Sequence, residues 1–250
     1  MPSAIENIVN GFPFPSIPPI VGDPNYVKVA EVYLQINSNA ASVHSNLGSG
    51  VLGLLYLTVS PSVYNTLPAT DFTPPMNPDP TPEILVGYTT SQIDGLRYFH
   101  TTAALLFDKY ELTDKALRQQ ILLAIDKLFV RSLRNCYVEY GTVLMRDIID
   151  HIYSTYANIL PADLQENDTR FRAPYESNQS IETLIDHVET AVEYAADGNT
   201  TYSPAQVSAA AYHLVFQTDL FNDNCKFWKI QEDAYNTWEK SKVDFATAHQ

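Results

Sequence analysis

Basic residues are scarce in this chain, and their scarcity excludes a great deal. Fifteen lysines and arginines stand against 29 aspartates and glutamates, a formal net charge of −14. A surface of that sign repels phosphate backbones unless its cations cluster. They do not cluster: Arg170 and Arg172 are the nearest approach to a basic patch. Cysteine is scarcer still. Cys136 and Cys225 lie far apart, neither has a companion at metal-ligand spacing, and two thiols do not make a disulfide framework. Reduced thiols in a cytoplasmic setting are expected, with no metal and no cofactor. Long apolar runs are missing as well; none approaches the ~20 residues that cross a bilayer, so no membrane partner is expected. The first residues show no basic stretch followed by an apolar one, and no secretory signal is expected. Without one, the acceptor-like Asn167, Asn178 and Asn199 read as polar loop positions rather than glycan sites.

What is present is apolar material at helical spacing. Hydrophobic residues make up 45% of the 250 positions, ample for one large core or two smaller ones. The stretch from 113 to 157 organises the rest. Thr113 and Asp114 carry N-cap chemistry, a short side-chain oxygen able to take an unpaired N–H. Leu117, Ile121, Ala124, Ile125, Leu128 and Phe129 then recur at three- and four-residue spacing, which predicts one buried face. Lys115, Arg118, Gln119 and Asp126 fall largely on the other face. Gly141 interrupts the pattern. Leu144, Ile148, Ile149, Ile152, Tyr153 and Tyr156 predict a second helix, ended by Asn158 and Pro161. Helices of this length need other apolar faces to bury against.

The remainder supplies such faces. Residues 1–24 form a proline-rich arm whose Pro13, Pro15, Pro18 and Pro19 favour an extended path. It is either a passive tail or a strap that covers a neighbour with Phe12, Phe14, Ile17 and Ile20. Asp23-Pro24 looks like a cap and first-turn proline for a helix through Val27 to Ile36. Val51 to Val59 is a short apolar run, read as a buried helix. Leu67 to Pro82 is a long loop with six prolines. Thr90 or Ser91 caps a helix through Ile93, Leu96, Phe99, Leu105, Leu106 and Tyr110. Asp163 to Arg172 suits one more short helix, and residues 173–180 a linker. Ser180 then caps a helix with Ile181, Leu184, Ile185, Val188 and Val192 inward, stopped by Gly198-Asn199. Ser203-Pro204-Ala205-Gln206 reads as a capping box. A last long helix is predicted from about Phe221 to Ala248.

Chemistry-bearing motifs are weak. Gly48, Gly50 and Gly53 match the dinucleotide fingerprint formally, but no strand precedes them and no ribose-binding acid follows. Close backbone approach is the simpler use of those glycines. Asp147 and His151 share a helical face and Asp150 stands off it, which suits a surface polar pair better than a metal site. The other histidines are scattered. Cys136-Tyr-Val-Glu139 offers no nucleophile elbow, although a catalytic set drawn from distant residues stays open at this level. Trp228 and Trp238 suit core or interface anchors, since no basic stripe accompanies them.

Several strings, taken in order, resemble a known family. They are Leu34-Gln-Ile-Asn-Ser-Asn-Ala-Ala-Ser-Val-His-Ser-Asn-Leu-Gly-Ser-Gly-Val-Leu-Gly-Leu-Leu55, then Tyr64, then Phe72-Thr-Pro-Pro-Met-Asn-Pro78. Ala116-Leu-Arg-Gln-Gln-Ile121, Ile148 to Tyr156 and Ile181 to Ile185 continue the series. Trp228, Trp238 and Phe245-Ala-Thr-Ala-His249 close it. Together they resemble the Gag-like proteins of copia-type LTR retrotransposons, in the divergent sets of algae and other protists. The resemblance implies an all-α, two-domain, retroviral-capsid-like helical fold with a proline-rich N-terminal arm. Its parts would be the arm at 1–24, an N-terminal-like domain at 25–172, a linker at 173–180 and a C-terminal-like domain at 181–250.

It also implies a capsid protein, not an enzyme, that assembles into particles enclosing the element's RNA. The chain departs from many Gag proteins in lacking the zinc knuckle Cys-x2-Cys-x4-His-x4-Cys. RNA would then be held indirectly, or through a segment beyond Gln250. Contacts between copies are expected at Phe12, Phe14, Phe72, Pro75, Trp228 and Trp238. Two other readings compete: a domesticated Gag-like adaptor that binds a partner protein without forming shells, and an enzyme with a site built from distant residues.

Overall fold

The computed structural model describes residues 3–67, 71–176, 179–218, 222–229 and 237–248. Among the described residues every regular element is helical, and the one β contact is an isolated bridge between Asn135 and Glu139. The expectation of an all-α chain holds in that form. The chain divides into two compact units, Met1–Ala157 and Asn158–Gln250. The boundary thus falls some fifteen residues before the 173–180 stretch expected as a linker. The reason is local. A helix over Pro161–Phe171 packs on the helix that follows it, so it belongs to the second unit. Pro161 does not merely end the preceding helix; it occupies the first turn of the next, where its missing N–H costs nothing.

In the first unit, α1 spans Ala4–Asn10, α2 Tyr26–Ser42, α3 Pro61–Tyr64, α4 Thr90–Ala124 and α5 Met145–Tyr156. Ser3 and Glu6 cap α1 reciprocally. The cap of α2 is Asn25, whose Oδ1 accepts from Lys28 N–H at 3.1 Å, rather than Asp23. Thr89 and Gln92 form the capping box of α4.

That helix then runs 35 residues without a break, which corrects the expected start at Thr113. The Thr113 hydroxyl donates to the Lys109 carbonyl inside the helix, and Asp114 pairs with Arg118 one turn on. Residues with cap chemistry have found partners in the helix interior instead. The helix ends at Ala124. Leu128 and Phe129 therefore sit in a loop, where the Asp126 carboxylate accepts from Leu128 N–H.

The core of this unit gathers Val29, Val32, Ile36 and Ala40 of α2, Ala116, Leu117 and Ile121 of α4, and Met145, Ile148, Ile149 and Ile152 of α5. The expected apolar stripe of α5 is therefore the buried one, and α5 packs on both α2 and α4. Arg118 is buried too, against the outward position predicted for it. Its guanidinium donates to the carbonyls of Gly141 at 2.9 Å and Val143 at 2.6 Å. The loop before α5 thus gains a donor for oxygens it cannot satisfy itself. Residues 51–59 form tight turns with a single 3₁₀ turn at Leu55–Leu57, not the predicted helix. Gly53 explains this. Its φ is +52°, and a Cβ there would lie 2.2 Å from the Ala41 carbonyl oxygen, so the chain folds back hard against the end of α2.

The second unit holds α6 at Pro161–Phe171, α7 at Ile181–Asp197, α8 at Pro204–Phe216, α9 at Asn222–Lys229 and α10 at Trp238–Ala248. Its core joins Phe171, Ile181, Leu184, Val188, Val207, Ala211, Leu214, Cys225 and Phe245. The capping box at Ser203 and Gln206 forms as predicted. Asn167, one of the acceptor-like asparagines, is buried and donates from Nδ2 to the Ala191 carbonyl at 2.9 Å, tying α6 to α7. The single helix expected over 221–248 has a fresh start at Trp238. Thr237 there accepts from Lys240 N–H in the manner of an N-cap. Residues 230–236 of that prediction, with Pro68, Asn178 and His249 of others, lie outside the described residues.

Candidate functional site

The N-terminal residues expected as an arm are folded onto the first unit's own core. Phe12 and Ile17 are buried there. The backbone between them is gripped by two buried amides. Asn39 of α2 accepts from Phe14 N–H at 2.8 Å and donates to Phe14 C=O at 2.8 Å. Gln120 of α4 donates to Phe14 C=O at 2.9 Å and Pro15 C=O at 3.1 Å. Asn39 Nδ2 also donates to Gln120 Oε1 at 2.9 Å, which fixes both amide orientations. Further on, Ile20 N–H donates to the Ala124 carbonyl at the end of α4. A proline-rich stretch has no ladder to satisfy its backbone, so side-chain amides do it. The Phe14 ring is left exposed.

Phe72 is likewise buried in its own unit. Its ring stacks on Tyr56, with centroids 4.5 Å apart and planes 8° from parallel, and meets Tyr64 edge-on. The Arg146 guanidinium lies 5.1 Å above the other partner of that stack, the Tyr56 ring, and bonds the Tyr56 carbonyl. Burial pushes the phenols of Tyr64 and Tyr110 upward, Tyr110 to about 12, with the Asp114 carboxylate adding to the effect. Gly48 has its use here: a Cβ at its φ of +55° would lie 2.2 Å from Tyr64 Oη. The fingerprint glycines therefore serve close packing around an aromatic cluster and the end of α2. Pro75 is half-buried on the extended stretch that follows Phe72, and this stretch reaches α4 again where Asp79 Oδ1 lies 3.8 Å from His100 Nε2.

In the second unit, Trp228 is buried against Phe245, with ring centroids 6.1 Å apart. Trp238 is half-buried and lines a cavity of about 450 Å³ with Glu189, Glu193, Tyr202 and Glu239. Lys242 places its ammonium 5.8 Å from the Trp238 ring centroid and bonds Glu189 at 2.7 Å and Glu239 at 2.9 Å. Those two hydrogen bonds raise its pKa. The chain thus seats its own cation against this aromatic and acidic wall.

Asp147, Asp150 and His151 do not converge on a common point. His151 Nε2 lies 3.1 Å from Phe129 O and 3.1 Å from Ser132 Oγ, so that nitrogen carries a proton and ties the loop before α5 to the helix. Among the described residues, no three of the His, Cys, Asp and Glu side chains gather as metal ligands would. Among them too, no helix is long and apolar enough to cross a membrane. Cys136 is exposed and Cys225 buried, both as free thiols; burial raises the pKa of Cys225.

Two features escaped the sequence reading. The Asn39–Gln120 pair gave no signal, because an amide on a helix reads as a surface residue until something covers it. The first two-thirds of α4 gave a misleading one. The predicted stripe holds only in part: Ile93 and Leu96 are half-buried, whereas Phe99 and Leu105 are exposed.

Comparison of the chain with protein-family models, with curated proteins and with solved structures finds no match.

Proposed function

We propose that the chain is a structural subunit that assembles with copies of itself, a Gag capsid protein of the kind its sequence strings resemble, and that it does no chemistry. The observation that carries this reading is the surface of the first unit. Large apolar side chains stand in solvent along α4, at Tyr98, Phe99 and Leu105. Others line a groove of about 660 Å³, where exposed Leu123 and Val138 join Ile5, Leu122 and Tyr140. Grouped apolar exposure of this kind marks surfaces that meet another protein. Two units with separate cores also suit a shell, since each presents its own contact face.

The expected contact residues sort accordingly. Phe12, Phe72 and Trp228 serve their own units, which leaves Phe14, Pro75 and Trp238 with surface to offer a neighbour. RNA is enclosed rather than gripped in this reading, because a subunit of charge −14 has no bulk attraction for it. The assembly is cytoplasmic.

Negative-stain microscopy of the purified protein over a range of salt tests this, together with recovery of RNA after nuclease treatment. Closed particles with protected RNA are expected. A chain that stays small under all conditions overturns the shell and favours the adaptor, whose mark is a stoichiometric complex with a different protein.

A further inference from the structure

We infer that α4 pairs with the α4 of a second copy, antiparallel, through the face that carries Tyr98 and Leu105. All of the helix's fully buried residues lie from Thr113 onward. The 23 residues before it, Thr90 to Leu112, extend about 34 Å at 1.5 Å per residue. One side of this segment is lined by the chain's own proline stretch, through Asp79 at His100 and Phe72 near Tyr110, with ring centroids 6.3 Å apart. Among the described residues the opposite side is uncovered from Ser91 to Leu105, and the His44 carbonyl meets it only at Lys109. Tyr98 is 67% exposed and Leu105 65%, and Asp94, Thr101 and Thr102 are exposed with them. A segment carrying Gly95 and threonines at 90, 101 and 102 has modest helix propensity, so a bare apolar face is a poor end state for it.

A second copy is the occupant because the face complements itself. Ser91, Asp94, Tyr98, Thr101, Thr102, Leu105, Lys109 and Leu112 fall within about 100° of arc at the helical period. Their spacing is symmetric about the midpoint between Thr101 and Thr102. Turned over on that midpoint, the helix lays Tyr98 against the partner's Leu105, and Leu105 against the partner's Tyr98. The same turn sets Asp94 opposite the partner's Lys109 at both ends. Small threonines at the crossing let the two backbones approach. This is an isologous contact, in which every pairing of two different residues occurs twice, once in each direction, as a two-fold axis demands. Lys109 donates to the His44 carbonyl at 2.6 Å and keeps two further N–H donors for a carboxylate. The pairing supplies one of the self-contacts that the proposed shell needs, but it does not rest on a shell: a chain that dimerises here and builds nothing larger keeps it.

Sedimentation velocity of the full chain over a concentration series provides the test. The wild type is expected to dimerise. Leu105→Asp should weaken the dimer at least about tenfold with unchanged circular dichroism, because position 105 is exposed in the monomer. Asp94→Lys should weaken it as well, and adding Lys109→Asp should recover most of the loss. In a Cys136→Ser background, Thr102→Cys should cross-link with a short bis-maleimide, and Ala103→Cys, on the side facing the proline stretch, should not. A wild type that stays monomeric throughout overturns the inference. So does a dimer, or a particle, indifferent to Leu105→Asp and to the charge exchange. Dimers sensitive to both variants, with no particle at any salt, uphold the pairing and dispose of the shell.

Discussion

Asn39 shows how much can hang on one side chain. Its side chain accepts one hydrogen bond and donates two, and it is fully buried. Removing one partner from a buried bond exposes the remaining group to the full cost of desolvation, about 1–3 kcal/mol each. Asn39→Ala orphans the Phe14 N–H and one Gln120 acceptor; Phe14 C=O keeps its bond from Gln120. A loss of about 2–6 kcal/mol is expected in urea unfolding, with faster proteolysis before residue 25. Unchanged stability and unchanged cleavage would show that the amide does not hold this stretch. Asn39 lies within the stretch Leu34 to Leu55, and that stretch gives no sign of its physical task. Nothing local distinguishes an amide that grips a distant backbone from one that faces water.

Among the elements, α4 is the one whose two ends do different work. Its last dozen residues hold all of its fully buried positions, and its first two-thirds are surface on at least one side. Leucine truncation separates the two. Leu117→Ala, at a fully buried site, should cost about 2–5 kcal/mol, whereas Leu105→Ala should cost the monomer under about 0.5 kcal/mol. Equal costs in chemical denaturation would mean that the exposed face is mis-assigned. Periodicity found the helix on both sides of Thr113 and failed at the join. A threonine and an aspartate read as a cap, although each can equally bond within its own helix, and sequence does not say which. The helix with a clean stripe between Ser180 and Gly198, α7, was legible nearly to the residue, and so was the start of α8 at its reciprocal capping box.

Across the whole molecule, the division at Ala157/Asn158 has a direct consequence. Residues 158–250 possess a separate core and should fold alone, with a cooperative thermal transition followed by circular dichroism. That fragment should also be acid-sensitive. Arg172 donates to Asp168 from Nε at 3.0 Å and from Nη2 at 3.2 Å, and Tyr202 donates at 3.2 Å. The Arg172 hydrogen bond holds the Asp168 carboxyl below the usual range. A carboxyl depressed in the fold stabilises above its unfolded pKa, near 4, and that contribution vanishes as pH falls through the folded value. The melting temperature should therefore drop below about pH 4, and Asp168→Asn should flatten that part of the profile. An acid limb identical in the variant would assign the effect to other carboxylates.

The amino-acid order by itself determined the helical class, the capping of α8 and the apolar faces of α5 and α7, because these follow from period and from neighbours three or four residues away. Tertiary packing alone decided where one unit stops and the next begins, and that the N-terminal prolines lie on their own core. It also decided that Arg118 turns inward while Leu105 is left in water. Each of those outcomes depends on what residues far apart in sequence do for one another's unpaired donors, acceptors and apolar surface, and no local pattern encodes that.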